Sequence, residues 1–152
     1  MSSSIVIGHI QKSELPLLLP LWESSVRASH HFLAEDDIAF FKKMIIDNDV
    51  FTHFLDNEYL HVARNKEGKI LGFIGVSGHT LEMLFLDPAF FGMGIGTLLV
   101  NYVMKEYQVS KVQVNEQNVQ GVHFYKKLGF KVVGRTDTDP SGKPFPHLFM
   151  EI

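Results

Sequence analysis

Three glycines fall within five residues, at Gly92, Gly94 and Gly96, in the run FFGMGIGTLLVNYVM from Phe90 to Met104. Glycine costs backbone entropy and packs nothing, so the cluster needs a backbone reason. Directly after it the pattern turns helical. Ile95, Leu98, Leu99, Tyr102 and Val103 recur at i, i+3, i+4, i+7 and i+8. The glycines therefore occupy a strand-to-helix turn and the first helical turn. There the backbone N–H groups have no intrahelical partner and the helix dipole is positive. Without side chains in the way, those amides suit a phosphate or pyrophosphate. A dinucleotide fingerprint fails, because Thr97 and Leu99 stand where its last glycine belongs. A Walker loop fails because no lysine follows Gly96. What remains is x-x-G-x-G after a strand ending in Asp-Pro. On the glycines alone, a tight ligand-free turn fits as well.

The chain has 152 residues, of which 45% are hydrophobic, and a net charge of −3. That length suits one domain over residues 1–152. The charge gives no case for nucleic acid. The absence of cysteine excludes disulfides, thiolate catalysis and zinc–thiolate sites. No H-E-x-x-H or comparable cluster occurs among the eight histidines, so no metal is expected. MSSSIVIGHI is not a signal peptide, and LPLLLPLW is too short and too proline-rich to span a membrane. A cytoplasmic protein, monomer or homodimer, is the expectation.

Along the chain, residues 4–10 read as a strand. Ser13 is the expected N-cap of a first helix, with Pro16 in its first turn and Pro20 kinking it. A second helix follows AEDD. Strands are expected at 59–64, 69–77 and 80–86, a helix from Ile95 to about Tyr107, a strand at 111–115, a helix at 118–128 ended by Gly129, and strands at 130–135 and 147–152. MLFL, apolar on both faces, marks a central strand. The order β-α-α-β-β-β-α-β-α-β-β predicts an α/β fold with a mixed sheet.

In NVQGVHFYKKLGF, residues Asn118, Gly121, Tyr125 and Leu128 share one helical stripe. Asn118 and Tyr125 lie about 10 Å apart along the axis. A long thin ligand fits across the gap at Gly121. In isolation, Tyr125 also reads as a core residue.

Together, LFLDP, GMGIGTLL and NVQGVHFYKKLGF resemble the GCN5-related N-acetyltransferase (GNAT) family. The pyrophosphate loop of that family corresponds to Phe91, Gly92, Met93, Gly94, Ile95 and Gly96, with Thr97 beside it. Its later motif corresponds to residues 118–130. WESSVRASHHFL, VNEQN, FYKKLGFKVVGR and SGKPFPHL are similar to a subgroup of small bacterial acetyltransferases. Phe91 departs from the usual Arg or Gln.

The resemblance implies a mainly antiparallel central sheet flanked by helices, with a splayed parallel strand pair holding the cofactor. It implies direct acetyl transfer from acetyl-CoA to a primary amine of a small molecule or peptide. The backbones of Leu84, Phe85 and Leu86 would hold the pantetheine arm, Asn118 would contact the cofactor, and Tyr125 would be the acid for the leaving thiolate. Glu82 is a candidate base, with an ordinary solvated strand residue as the alternative, and His79 is a weaker one. His30 and His31 would border the acceptor cleft. Lys126, Lys127 and Lys131 face either the adenosine phosphate or solvent. The acids Glu35, Asp36, Asp37, Asp137 and Asp139 suggest a small cationic amine or an amino-terminal group as acceptor, with solvated loop acids as the alternative reading for any one of them. GVSGH approaches a nucleophile elbow, but a strand–turn–strand fits it better. A non-catalytic acyl-CoA-binding regulator on the same scaffold is the competing function.

Overall fold

The computed structural model describes residues 4–152. Its strands are β1 Val6–His9, β2 Tyr59–Arg64, β3 Ile70–Ser77, β4 Thr80–Leu86, β5 Lys111–Asn115, β6 Lys131–Thr136 and β7 His147–Glu151. They form one sheet in the order β1-β2-β3-β4-β5-β7-β6. Every neighbouring pair is antiparallel except β4 with β5. The helices are α1 Leu18–Ser29, α2 Glu35–Asp47, α3 Val50–Asn57, α4 Ile95–Tyr107 and α5 Val119–Lys127.

The sheet is buried on both faces at its centre. Helices α4 and α5 cover one face, where Leu99, Val100, Val103 and Tyr125 pack on Leu71, Ile74, Leu81 and Val112. Helices α1, α2 and α3 cover the other, where Leu18, Trp22, Val26, Ile38 and Phe51 pack on Leu60, Val62 and Phe73. Burying a side chain of that size stabilises the fold by about 1.5–3 kcal/mol. This explains why β3 and β4 lack the polar alternation of a half-exposed strand.

Three local departures from the expected pattern have physical causes. The chain enters α1 through a 3₁₀ turn, Lys12–Leu17, which contains Pro16. Glu14, rather than Ser13, caps that turn by accepting from the Gln11 N–H at 2.9 Å. Pro20 lies in the first turn of α1, where no N–H is needed, so it neither kinks nor breaks the helix. The chain also forms α3, which the sequence pattern left unassigned. Asp49, at φ 47, separates it from α2. Finally, Gly75 faces Met83 while the next residue, Val76, faces Leu81. Glu82 is therefore the extra residue of a β-bulge in β4. Simple alternation would put Glu82 on one face with Leu84; instead Leu81, Leu84 and Leu86 share the α4 side, and Met83 and Phe85 the α1 side.

Burial holds several histidines neutral. His61 is 1% exposed and is hydrogen-bonded through Nε2 to the Tyr107 hydroxyl at 2.5 Å. Burial, then the nearby His9, lowers its pKa. Burial, then His31, pushes His30 down to about 4 from 6.5, and burial lowers His147. A depressed histidine contributes its stability in full above the unfolded value. As pH falls below about 6.5 the unfolded chain binds protons that the native state refuses. For His30 the loss reaches about 2 kcal/mol at pH 5. We therefore expect the urea midpoint to fall between pH 7.5 and pH 5, and His30→Gln to flatten that decline. An equal decline in the variant would show that His30 is not held neutral.

Candidate acetyl-transfer site

The sheet opens where β4 and β5 part. Their parallel ladder holds only at Thr80↔Lys111 and Leu81↔Val112, and the bulge at Glu82 follows at once. Beyond it the strands diverge around a cleft of about 430 Å³. Leu84, Phe85 and Leu86 line it from β4; Gln113, Val114 and Asn115 from β5; Asn118, Gly121, Phe124 and Tyr125 from the α5 segment; Phe91, Gly92 and Gly96 from the glycine turn.

The main chain of β4 divides its groups between two neighbours. The Asp87 N–H donates to the Leu71 carbonyl at 2.8 Å. By the alternation of an antiparallel ladder, Phe85 then points its main chain at β3, whereas Leu84 and Leu86 point theirs into the gap. Of the three expected backbone contacts, Phe85 thus contributes only its ring. The Leu86 N–H already donates to Ser25 Oγ at 3.3 Å. Leu84 retains main-chain groups aimed at the cleft.

At the end of the gap stands the N-terminus of α4. Its first backbone bond runs from the Leu98 N–H to the Gly94 carbonyl. Phe91 (φ −61, ψ 146) and Gly92 (φ 77) form a tight turn that directs the Met93 N–H back along the chain, while the N–H groups of Gly92 and of residues 94–97 have no acceptor among the described residues. Gly92 and Gly94 have φ 77 and 80, a left-handed conformation that a side chain disfavours. Gly96 has a different role: a Cβ there would lie 3.3 Å from Cζ of Phe124, so its bareness admits that ring. Ile95 is core, Phe91 and Met93 are exposed, and Thr97 is half-buried. Gly121 also differs from expectation. The space for its Cβ is taken by the Asn118 carboxamide, at 2.4 Å from Nδ2. Asn118 Oδ1 accepts from the Gly121 N–H at 3.1 Å and caps α5. The gap at Gly121 is thus filled by the cap itself.

Tyr125 is 7% exposed and packs edge-on against Phe124 and Phe130. Burial raises the pKa of its phenol, so it is a proton donor at neutral pH. It is at once a core residue and part of the cleft wall.

A second chamber of about 330 Å³ lies on the α1 side of β4. Trp22, Val26, Leu33, Phe41, Met83 and Phe85 make its walls apolar. His30, Glu82, Phe85, Asn115 and His147 line both chambers and so mark their junction. Burial, then the Glu58 charge, raises the Glu82 pKa. The carboxylate nevertheless remains open to water. Ser29 Oγ donates to the Ser25 carbonyl at 2.7 Å and lies 2.8 Å from His30 Nδ1. Since that hydroxyl proton is committed, Nδ1 carries the His30 proton and Nε2 its lone pair.

Several expected residues are elsewhere. His31 is exposed and lines neither chamber. His79 is exposed in the β3–β4 turn, its Nδ1 3.2 Å from the Tyr107 carbonyl. The acids that suggested a cationic acceptor are mostly spoken for, and only Asp139 among them lines the second chamber. Glu35 is bound by Arg27, and Asp137 by Arg135. Asp37 accepts from the Ala34 N–H and sits 3.6 Å from Lys143 Nζ. Oδ1 of Asp139 takes Ser141 N–H, Ser141 Oγ and Lys143 N–H. Lys126, Lys127 and Lys131 are exposed. Among the described residues no group of three or more His, Cys, Asp or Glu is arranged to hold a metal ion. No helix among them is long and apolar enough to cross a membrane. Sequence reasoning gave no role to Ser25, Ser29, Asn115 or His147; the last two lie in VNEQN and SGKPFPHL, where only the resemblance flagged them.

The profile described as Acetyltransferase (GNAT) domain matches residues 31–147. The peptidyl-lysine N-acetyltransferase YjaB of Salmonella typhimurium is 39% identical over 144 residues, covering 95% of each chain. YiaC of Escherichia coli, also named a peptidyl-lysine N-acetyltransferase, is 29% identical over 133 residues and 84% of each chain. The solution structure of apo YjaB from Escherichia coli superposes with a TM-score of 0.83 at 37% identity, covering 97% of this chain and 96% of that one. A PaiA N-acetyltransferase from Thermoplasma acidophilum, in complex with coenzyme A, superposes with a TM-score of 0.76 at 23% identity, covering 97% and 98%. With its split β4–β5 pair and its glycine turn, the chain belongs to the GNAT acetyltransferase family and is an acetyl-CoA-dependent N-acetyltransferase.

Proposed function

We propose that residues 1–152 work as one acetyltransferase domain that transfers acetyl from acetyl-CoA to the side-chain amine of a lysine in a peptide. One observation carries the reading: four consecutive N–H groups, at residues 94–97, stand without an acceptor among the described residues at the end of a gap in the sheet. A pyrophosphate supplies oxygens for such donors. Phe91 offers no cation or carboxamide, so the main chain does this work. The pantetheine arm would run along Leu84 and Leu86, competing with Ser25 for the Leu86 N–H. When bound, acetyl-CoA supplies the activated thioester.

The lysine proposal follows from YjaB and YiaC, both peptidyl-lysine N-acetyltransferases, and from the shape of the second chamber. An aliphatic shaft suits Trp22, Val26, Phe41 and Met83. Its amine would meet Glu82 at the junction, where a raised pKa suits a base that takes a proton from an arriving ammonium. His30, neutral with its lone pair on Nε2, would hold the amine without repelling it. Tyr125 would give its proton to the departing sulfur. Among the described residues, Glu82 and Asp139 are the only acids lining the chamber, and Oδ1 of Asp139 is occupied by Ser141 and Lys143, which favours a single cationic end over a polycation. Acetyl-CoA is an intracellular metabolite, which supports a cytoplasmic site of action.

The test is thiol release from acetyl-CoA with a panel of lysine peptides and small amines, beside a CoA titration. Gly94→Val should raise the CoA Kd at least about tenfold, because valine strains a left-handed turn; an unchanged Kd in the folded variant would remove the glycine turn from the site. Tyr125→Phe keeps the ring and its packing. It should lower kcat by about 10²- to 10⁴-fold with CoA affinity retained. Near-normal kcat, with chemistry rate-limiting, would leave Tyr125 a core residue only.

A further inference from the structure

We infer that His147 is a second proton acceptor of the transfer reaction and that Asn115 orients its ring. The inference rests on the acceptor reading given above. An ammonium loses two protons on its way to an amide. The first leaves before attack, because an ammonium has no lone pair. The second leaves as nitrogen bonds to the acetyl carbon and the carbon–sulfur bond breaks. Glu82, open to water, suits the first. The second needs a group at the reacting nitrogen.

Asn115 and His147 stand directly opposite each other in the β5–β7 ladder. The adjacent Glu116 N–H donates to the Pro146 carbonyl at 2.8 Å. Residues 115 and 147 therefore form the closer, non-hydrogen-bonded kind of pair, with both side chains on one face. Asn115 Oδ1 and His147 Nδ1 are both buried without a hydrogen-bond partner among the described residues. Unpaired buried atoms are costly, and these two complement each other. A side-chain rotation that brings the His147 Nδ1–H onto Asn115 Oδ1 satisfies both and leaves the lone pair on Nε2. Both residues line both chambers, so that lone pair is available where acceptor and thioester meet.

The protons then balance. The second proton passes from nitrogen to His147 Nε2 while the Tyr125 O–H protonates the departing sulfur. The imidazolium and the Glu82 carboxyl afterwards give their protons to solvent, and Tyr125 takes one back. One ammonium and one thioester yield one amide, one thiol and one released proton. His30 does not fill this role, because its Nδ1 is tied to Ser29 and its pKa, about 4, is too low to hold the proton. The titratable groups facing His147 are His30 on α1, Glu82 on β4, Tyr125 on α5 and Asp139 on the β6–β7 loop. Burial lowers its pKa and Asp139 raises it, so the ring is neutral and ready near pH 7.

The experiment compares wild type with His147→Gln and Asn115→Leu, using acetyl-CoA and the best lysine peptide. His147→Gln should lower kcat by about 10²-fold or more with an unchanged CoA Kd. Its log kcat/KM below the optimum should fall with a slope one proton smaller than in wild type. Asn115→Leu should lose about tenfold in kcat, and added imidazole should restore at least tenfold to His147→Ala. A kcat for His147→Gln within threefold of wild type overturns the inference. So does loss of CoA binding in His147→Gln together with no imidazole rescue of His147→Ala, since His147 is then structural. If wild type binds CoA yet releases no thiol with any lysine peptide, the acceptor reading itself falls, and this inference falls with it.

Discussion

The site exists because β4 and β5 stop pairing after two residues. A parallel pair needs a crossover helix, and α4 supplies it between β4 and β5. Had the ladder continued, Leu84 and Leu86 would have bonded β5, and no groove would separate the strands. Instead the Glu82 bulge turns the β4 main chain at the point of divergence. Each forgone hydrogen bond costs about 0.5–1.5 kcal/mol net. The sheet tolerates this because β3 grips the other edge of β4 from Gly72 to Ser77, and β7 holds β5 along its whole length. The same break also leaves the positive end of α4 pointing at the gap.

The glycines serve that opening in two distinct ways. Gly92 and Gly94 are needed for their backbone, since φ near 80 lets the turn present successive N–H groups in one direction. Gly96 and Gly121 are needed for space, and the space goes to protein: the ring of Phe124 in one case, the capping carboxamide of Asn118 in the other. The α4 and α5 ends are thereby packed against each other. The amides of the glycine turn and Tyr125 then sit on elements that share one core with Leu99 and Val112.

This division also sets what a sequence can reveal. Strands β2 and β4 and helix α4 were legible because hydrophobic period and turn residues agree there. Phe130 and Lys69 shifted a strand edge by one residue, as ends do. Helix α3 was hidden because Asn48 and Asp49 look like a loop and the segment is only eight residues long, although Phe51, Phe54 and Leu55 recur at helical spacing and pack on the core. The bulge at Glu82 leaves no local mark at all, since it is fixed by the register against β3. The glycine turn and the Asn118–Tyr125 stripe are local and could be read. His147 could not, because its meaning comes from Asn115 across a ladder joining segments 32 residues apart. The pairing of the acids was hidden for the same reason: Arg27, Arg135 and Lys143, which occupy several of them, are placed by the fold.

The apolar second chamber has a consequence for the nucleophile. An ammonium that entered it, as proposed, would lose hydration against walls of Trp22, Phe41 and Met83, and desolvation lowers the pKa of an amine. The same surroundings raise the carboxyl pKa of Glu82. The two values therefore move toward each other, which eases transfer from an amine normally near 10.4 to a carboxyl normally near 4.3. A ring of acids would do the opposite: it would bind the cation more tightly and hold the amine protonated. Asp139, the other acid of this chamber, spends its Oδ1 on Ser141 and Lys143, which fits a site that would bind its acceptor through the shaft and keep one carboxylate, Glu82, for the proton.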